Sequence, residues 1–285
     1  MIKNHTHPSK SCPRKLLIID GHAVAFYCWF SNYLDSIIPG VLKKISQAID
    51  EHSPSHIVVA FDPKPPTFRH NLYPAYKANR PPVPKKFLDE CKHLFKILES
   101  IRIPFYELSG YEADDVIGTC VTHFSQIGFD SVILTCDLDL LQLTNHSVQV
   151  EVFSQYWPTR IFDQTAAKRR FGGIEPINIP DFKALAGDRS DNLPGIVGIG
   201  SKSATSLLLE RGDLEGIYED LDSVLDLNIR GAKRIHQLLE SNRQNAYIMR
   251  DLATIVRDAP LSIDPKDIEC GIIYKDIQRV LEDDY

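Results

Sequence analysis

Nine carboxylates in this 285-residue chain fall into four short groups whose spacing suits divalent-cation chemistry. Asp20 and Asp62 each close an apolar run, and Glu112, Asp114 and Asp115 open a helical pattern. Asp137 and Asp139 follow a further apolar run, while Asp188 and Asp191 lie in the turn Gly187-Asp188-Arg189-Ser190-Asp191-Asn192. Glu112 and Asp115 are three residues apart, so one helical face presents both. Asp137 and Asp139 are two apart and point the same way in extended chain. Each group alone also suits a helix cap or a turn. Brought together, like charges about 4 Å apart repel by roughly 4 kcal/mol at an effective dielectric near 20. Hard divalent cations, Mg²⁺ or Mn²⁺, take oxygen ligands of this kind. Two of them about 4 Å apart can clamp the attacking and leaving oxygens of a phosphate displacement. No His/Cys set has the composition of a zinc site, and His22, just after Asp20 and Gly21, reads as local packing.

The elements that must position these groups are strands alternating with helices. Leu16–Ile19, Ile57–Phe61 and Val132–Thr135 are continuous apolar runs, the pattern of strands buried on both faces. Val148–Phe153 reads as a fourth strand. Helical patterns cover Val41–Ile49, Phe87–Ile101 and Ala113–Gln126. Leu88, Cys91, Leu94, Phe95 and Leu98 form the stripe of the second; Val116, Ile117, Cys120, Val121 and Phe124 form that of the third. Such alternation implies an α/β domain with a mostly parallel central sheet flanked by helices. Ligands of these sheets bind beyond the carboxyl ends of the strands, where Asp20, Asp62 and Asp137 are all expected. After about residue 160 the strand signals stop, and Gln164–Phe171, Asp181–Ala186, Lys202–Arg211, Gly231–Asn242 and Gln244–Leu252 read as helices. The expected organisation is a flexible tail over 1–13, an α/β catalytic domain over 14–160 with a basic arch at about 64–100, and a helical module over 161–285. Met1–Pro13 lacks the apolar core of a signal peptide, and no run is long enough to span a membrane.

The net charge of −6 argues at first against a nucleic-acid partner, but Lys64–Arg102 holds nine Lys/Arg and only three Asp/Glu. Within it, Phe68–Arg80 interleaves cations with aromatics. Arg69, Lys77 and Arg80 can neutralise phosphate, and Tyr73 and Tyr76 can stack on bases. The Pro-rich stretch Pro63–Pro84 reads as a loop or partly ordered arch rather than core. Gly195, Gly198 and Gly200 precede a helix that carries Lys202 in its first turn. That arrangement lets backbone N–H groups approach a phosphate, and suits a helix-hairpin-helix at about 193–211. None of the six cysteines forms a C-x-x-C pair, which suits a reducing cytoplasm; Cys120 and Cys136 read as core residues.

Six motifs together resemble the 5′-nuclease (flap endonuclease) family, in its bacterial 5′-3′ exonuclease branch. They are Ile-Asp-Gly-His at 19–22, Phe-Asp-Pro-Lys at 61–64, Tyr-Pro-Ala-Tyr-Lys-Ala-Asn-Arg-Pro-Pro at 73–82, Gly-Tyr-Glu-Ala-Asp-Asp at 110–115, Thr-Cys-Asp-Leu-Asp at 135–139 and Gly-Asp-Arg-Ser-Asp-Asn-Leu-Pro-Gly at 187–195. The resemblance spans roughly Leu16 to Asp264. It implies a PIN-like sheet with an appended helix-hairpin-helix, two Mg²⁺ or Mn²⁺ ions, and hydrolysis of DNA bearing a 5′ end, flap or branch in replication and repair. It assigns Asp20, Asp62 and Asp114 to one metal, and Glu112, Asp137, Asp139 and Asp191 to the other, with Asp115 and Asp188 completing the acidic pocket. Lys77 and Arg80 would contact the scissile phosphate, and Gly195–Gly200 matches a stretch that binds K⁺ through backbone carbonyls. A monomeric cytoplasmic enzyme is expected. One departure stands out: Phe26 and Tyr27 occupy positions where bacterial relatives usually have Tyr-Arg, and Tyr27 is expected to substitute by stacking on a base. Two rivals are a PIN-type ribonuclease, which the helix-hairpin-helix disfavours, and a non-catalytic junction binder, which the filled acidic set disfavours.

Overall fold

The computed structural model describes residues 14–31, 36–271 and 273–283; the expected tail over 1–13 lies outside them. Its centre is a six-stranded sheet: β1 (Lys15–Asp20), β2 (His56–Phe61), β3 (Phe105–Glu107), β4 (Asp130–Thr135), β5 (Val148–Val152) and β6 (Arg160–Phe162). The spatial order is β3-β2-β1-β4-β5-β6, parallel throughout except for antiparallel β6. The strand order reverses between β1 and β4, so the crevice at that switch point lies between Asp20 and Asp137.

The apolar runs are continuous because both faces are covered. Leu17 and Ile19 of β1 join one core layer, and Leu16 and Ile18 join the other. The first layer is closed by α1 (Gly21–Phe30), α2 (Ile38–His52) and the helix that follows α3 (Phe68–Leu72), namely α4 (Lys85–Ser100). The second is closed by α5 (Ala113–Gln126), with Ala167 of α6 (Gln164–Arg170). In α4 the buried stripe is Phe87, Cys91, Leu94 and Leu98, a helical i, i+4, i+7, i+11 series. Leu88 falls outside that series and is 44% exposed, contrary to expectation.

A third core belongs to the helices α7 (Ile179–Ala186), α8 (Ser201–Arg211), α9 (Leu214–Glu219), α10 (Ala232–Ser241) and α11 (Arg243–Ala253). The chain then returns to the sheet: Ile255, Ile263 and Ile268 pack beneath α5. Ile273 and Ile277 of α12 (Ile273–Asp283) pack on the α2 side. Ile255, Ile263 and Ile268, with Ile273 and Ile277, therefore belong to the sheet's two cores and not to the helical core. The sequence patterns miss β3 and β6, each three residues long, because such segments are too short to show a period. They also miss α1, whose residues are apolar on nearly every side. Cys136 lies past the end of β4 and is exposed, not core. Among the described residues no helix is long and apolar enough to cross a membrane.

Candidate metal and phosphate site

Four carboxylates meet at the carboxyl edge. Asp20 ends β1 and caps α1, its Oδ1 accepting the Ala23 N–H at 3.0 Å. Gly21 follows because a Cβ there would lie 2.3 Å from the Phe61 ring. The other Asp20 oxygen accepts the Thr135 hydroxyl at 2.8 Å, and the Thr135 oxygen accepts the Asp137 N–H at 2.9 Å. One hydroxyl thus joins the ends of β1 and β4. Asp62, past β2, accepts the Ala113 N–H at 2.8 Å, which ties it to the start of α5 and so to Asp114. His22 Nδ1 accepts the Asp62 N–H at 2.9 Å. The Asp62 carboxylate, 3.5 Å away, would favour a protonated ring, but a proton on Nδ1 would expel that N–H. The geometry fixes Nδ1 as an acceptor, and His22 orients Asp62 rather than neutralising it.

A second group comes from across the crevice. Asp139, Asp188 and Asp191 each offer an oxygen, all within 4.8 Å of one another. Asp139 follows the β4 loop, its N–H held by Asp137 at 2.8 Å. Asp188 and Asp191 sit in a turn closed by paired bonds of 2.7 Å between Asp188 and Leu193. Gly195 makes this turn possible: φ is +62°, and a Cβ would lie 2.3 Å from the Gly187 nitrogen.

Protein cations sit among these oxygens. Lys77 Nζ donates to both Glu112 oxygens at 2.9 and 3.0 Å, and Arg80 Nη2 donates to Asp191 at 2.7 Å. Lys183, on α7, pairs with Asp139 and, at 2.5 Å, with Asp188. The sequence reading does not single out Lys183; its one signal is a Lys among the apolar residues of Phe182–Ala186. Tyr76 places its hydroxyl between Glu112 and Asp191, at 2.9 and 3.2 Å.

The charge remains under-compensated. Burial raises Asp20, the Ala23 N–H offsets part of that, and the charge of Asp62 raises it again, leaving the carboxyl at about 6. Asp114 is held well above its ordinary value by burial and then by Asp137 and Asp20. Burial and Asp137 push Asp139 up to about 7 against the pull of Lys183. Asp188 goes the other way: burial raises it, but Lys183 outweighs burial and holds it at about 2. Carboxylates that repel one another across an oxygen-lined crevice fit divalent cations. A cavity of about 620 Å³ runs from Asp137 and Asp139 past Lys183 and Asp188 to Ser201 at the start of α8.

Not every expected residue faces the crevice. Asp115, expected in the metal pocket, is fully buried, and both its oxygens take Arg69 guanidinium N–H groups at 2.6 and 2.7 Å. It also accepts the N–H groups of Glu112 and Val256, both at 2.9 Å, so its lone pairs are spent inside the protein. Arg69, expected on DNA, is 2% exposed and donates further to the carbonyls of Leu252 and Thr254 at 2.9 and 2.8 Å. Tyr76 is 3% exposed and joins the helical core, so its ring is no platform for a base; Tyr73 is half-buried against the same core. Nor is this half of the Pro-rich stretch a free loop. Asn192 Nδ2 donates to the Ala75 carbonyl at 2.6 Å, and Asn79 Nδ2 to the Arg189 carbonyl at 2.8 Å. In the glycine turn, Gly195 is buried and its carbonyl accepts from Asn245 at 3.3 Å, while Gly198, Gly200 and Lys202 are exposed. Phe26 stacks on Phe87 at 4.1 Å between centroids, and Tyr27 meets Phe153 edge-on at 5.1 Å.

A parallel sheet with convergent carboxylates at its switch point, joined to a helical module, defines a metal-dependent nuclease architecture. Residues 15–172 match the 5′-3′ exonuclease N-terminal resolvase-like domain, and residues 174–276 match the 5′-3′ exonuclease C-terminal SAM fold. The chain belongs to the 5′-3′ exonuclease family, nucleases that hydrolyse DNA. It is 36% identical over 265 residues to DNA polymerase I of Caldicellulosiruptor bescii, covering 89% of this chain and 30% of that protein. With DNA polymerase I of Streptococcus pneumoniae strain R6 it shares 36% over 274 residues, covering 90% and 30%. The chain thus spans about 30% of the length of these curated relatives. Among solved structures, zinc-bound T5 5′-exonuclease superposes with a TM-score of 0.72 at 20% identity, covering 94% of this chain and 99% of that one. The catalytic core of Rad2 with DNA substrate gives 0.54 at 15% identity, covering 95% and 92%. These two show the shared fold.

Proposed function

We propose that this chain cuts DNA at or near 5′ ends, flaps and branches, using two divalent cations at the carboxyl edge, with Mg²⁺ the working ion. The observation that carries this reading is the convergence of Asp20, Asp62, Asp114 and Asp137 on one side of a crevice with Asp139, Asp188 and Asp191 on the other. Asp20, Asp62 and Asp114 would hold one ion, and Asp137, Asp139 and Asp191 the other, with Glu112 and Asp188 beside them. When bound, the ions would supply an activated water and Lewis-acid stabilisation of the phosphate. The chain's own residues do the rest. Lys77 and Arg80, now resting on Glu112 and Asp191, would turn their N–H groups to the non-bridging oxygens of the scissile phosphate. Lys183 bridges Asp139 and Asp188 and offsets part of their charge. The exposed glycines Gly198 and Gly200 and the ammonium of Lys202 would grip the duplex backbone, with K⁺ bound at the carbonyls of the same turn. The direct test is cleavage of a labelled 5′-flap DNA and a matched RNA, each with Mg²⁺ and with EDTA. Mg²⁺-dependent cutting of the DNA alone is expected; cutting in EDTA, or preference for the RNA, would overturn the reading.

A further inference from the structure

Between the two proposed ion sets stands a side chain that belongs to neither. Thr135 ends β4 beside the switch point and is fully buried. Its hydroxyl donates to Asp20 Oδ2 at 2.8 Å and accepts the Asp137 N–H at 2.9 Å. Asp137 extends the chain of bonds, its Oδ1 accepting the Asp139 N–H at 2.8 Å. At the other end, Asp20 Oδ1 accepts the Ala23 N–H at 3.0 Å. One hydrogen-bonded line thus runs from the first turn of α1 through Asp20 and Thr135 to Asp137 and Asp139. Among the described residues, no other side chain bonds to both ion sets. Asp62 is tied to His22 and the Ala113 N–H, and Asp191 to Arg80 and Tyr76.

The ordinary role of a Thr at a strand end is to accept the N–H two residues on and so turn the chain. Asp or Asn would serve that turn as well. Asp would set a further charge against Asp20, and Asn would need separate atoms to donate and to accept. A hydroxyl does both through one oxygen, and its partners here are 2 and 115 residues away in sequence. Asp20 and the 137–139 turn are therefore held at fixed distances from a common atom. The β-branched side chain is stiff at χ1, and full burial keeps water from taking over either bond. Two of the roughly four lone-pair sites on the Asp20 carboxylate are filled from within, and the rest stay available to an ion.

We propose that Thr135 is a positioning residue for both divalent ions at once, orienting Asp20 of one set and the 137–139 turn of the other from a single oxygen. This role presupposes the two-ion reading of the crevice. Hydrogen-bond partners of ligating carboxylates fix their orientation and tune the affinity of the ion they hold. A ligand such as Asp137 serves one ion; Thr135, which touches neither, serves the spacing between the two. Removing its hydroxyl frees the Asp20 carboxylate to rotate and leaves the Asp137 N–H without its acceptor. Both sets of oxygens then lose their mutual register.

The test is a Mn²⁺ titration of the full chain without DNA, with free Mn²⁺ read by electron paramagnetic resonance, for the parent chain, Thr135→Val and Thr135→Ser. Two bound Mn²⁺ are expected on the parent chain. Thr135→Val keeps the shape of the side chain and removes the hydroxyl, and both affinities should fall by about tenfold or more. Thr135→Ser restores the hydroxyl and should return both toward the parent values. The Tm in EDTA separates this role from a structural one: a Thr135 that only held the fold would lower the Tm and leave Mn²⁺ binding by the folded chain unchanged. Should Thr135→Val fail to fold, Thr135→Ala takes its place. Two ions on the parent chain with unaltered binding in the hydroxyl-free variant, or a loss confined to one ion, would overturn the proposal alone. Fewer than two ions on the parent chain would overturn the two-ion reading and the proposal with it.

Discussion

Asp114 and Asp115 are neighbours in the chain and belong to opposite regions of the molecule. Asp114 faces the crevice, where burial and the charges of Asp137 and Asp20 hold its carboxyl well above the ordinary range. Asp115 faces inward, where Arg69 takes both its oxygens and the N–H groups of Glu112 and Val256 take what remains. The crevice region leaves negative charge uncompensated within the protein. The Arg69 region completes its compensation within the protein and binds the segment at 67–80 to the end of α11. The difference teaches that an acidic cluster in a sequence mixes carboxylates that serve chemistry with carboxylates that hold their neighbours in place. Loss of the first kind should cost activity at constant stability, and loss of the second should cost stability first.

Asp137→Asn gives the sharpest break. It should lower flap cleavage by about a hundredfold or more, while the Tm holds and DNA binding by fluorescence anisotropy is retained. Near-normal turnover would remove Asp137 from the metal set. Arg69→Met should act in the other region, leaving a buried carboxylate without its partner and costing about 3–5 kcal/mol in urea unfolding. The double substitution Arg69→Met/Asp115→Leu should recover much of that stability; if it does not, the pair does more than satisfy itself.

The third prediction concerns pH. Asp20 and Asp139 have carboxyls raised to about 6 and about 7 in the folded chain, so the folded state binds protons that the unfolded state releases above its ordinary value of 3.8. Their contribution to stability is complete below that value and is lost as pH rises through about 6 and 7. In EDTA the Tm should therefore fall from pH 5 to pH 7.5, and Mg²⁺ should raise it more at the higher pH. A Tm in EDTA that climbs over this interval would contradict the crevice electrostatics. The smallest effect is expected at Lys202→Ala. It should weaken DNA binding modestly and reduce the salt slope of log K by about one unit, with cleavage at saturating DNA unchanged.

Much of this was legible because the physical signals are local. Apolar runs ending in Asp at 20 and 62 mark strands buried on both faces with polar residues at their ends. The stripe over Ala113–Gln126 gives α5 its limits, and the acidic residues at its start are those a helix N-terminus favours. What was not legible depends on partners distant in sequence. Arg69 and Tyr76 sit in a basic, aromatic-rich stretch that reads as a DNA-facing loop. Their fate is set by Asp115, Leu252 and Asp191, which lie between 46 and 183 residues away. Lys183 could be placed only once Asp139 and Asp188 were seen on either side of it.

The sequence alone determined which residue types are present and, through periodicity, which strands and helices carry them. That sufficed to set seven of the nine crevice and pocket carboxylates at strand ends, helix starts or the 137–139 loop, and the remaining pair in the 188–191 turn. Only the tertiary structure decided which of those carboxylates keep free lone pairs, because hydrogen bonding and burial depend on what folds against them. Charge is a property of the residue; whether it is spent or available is a property of its surroundings.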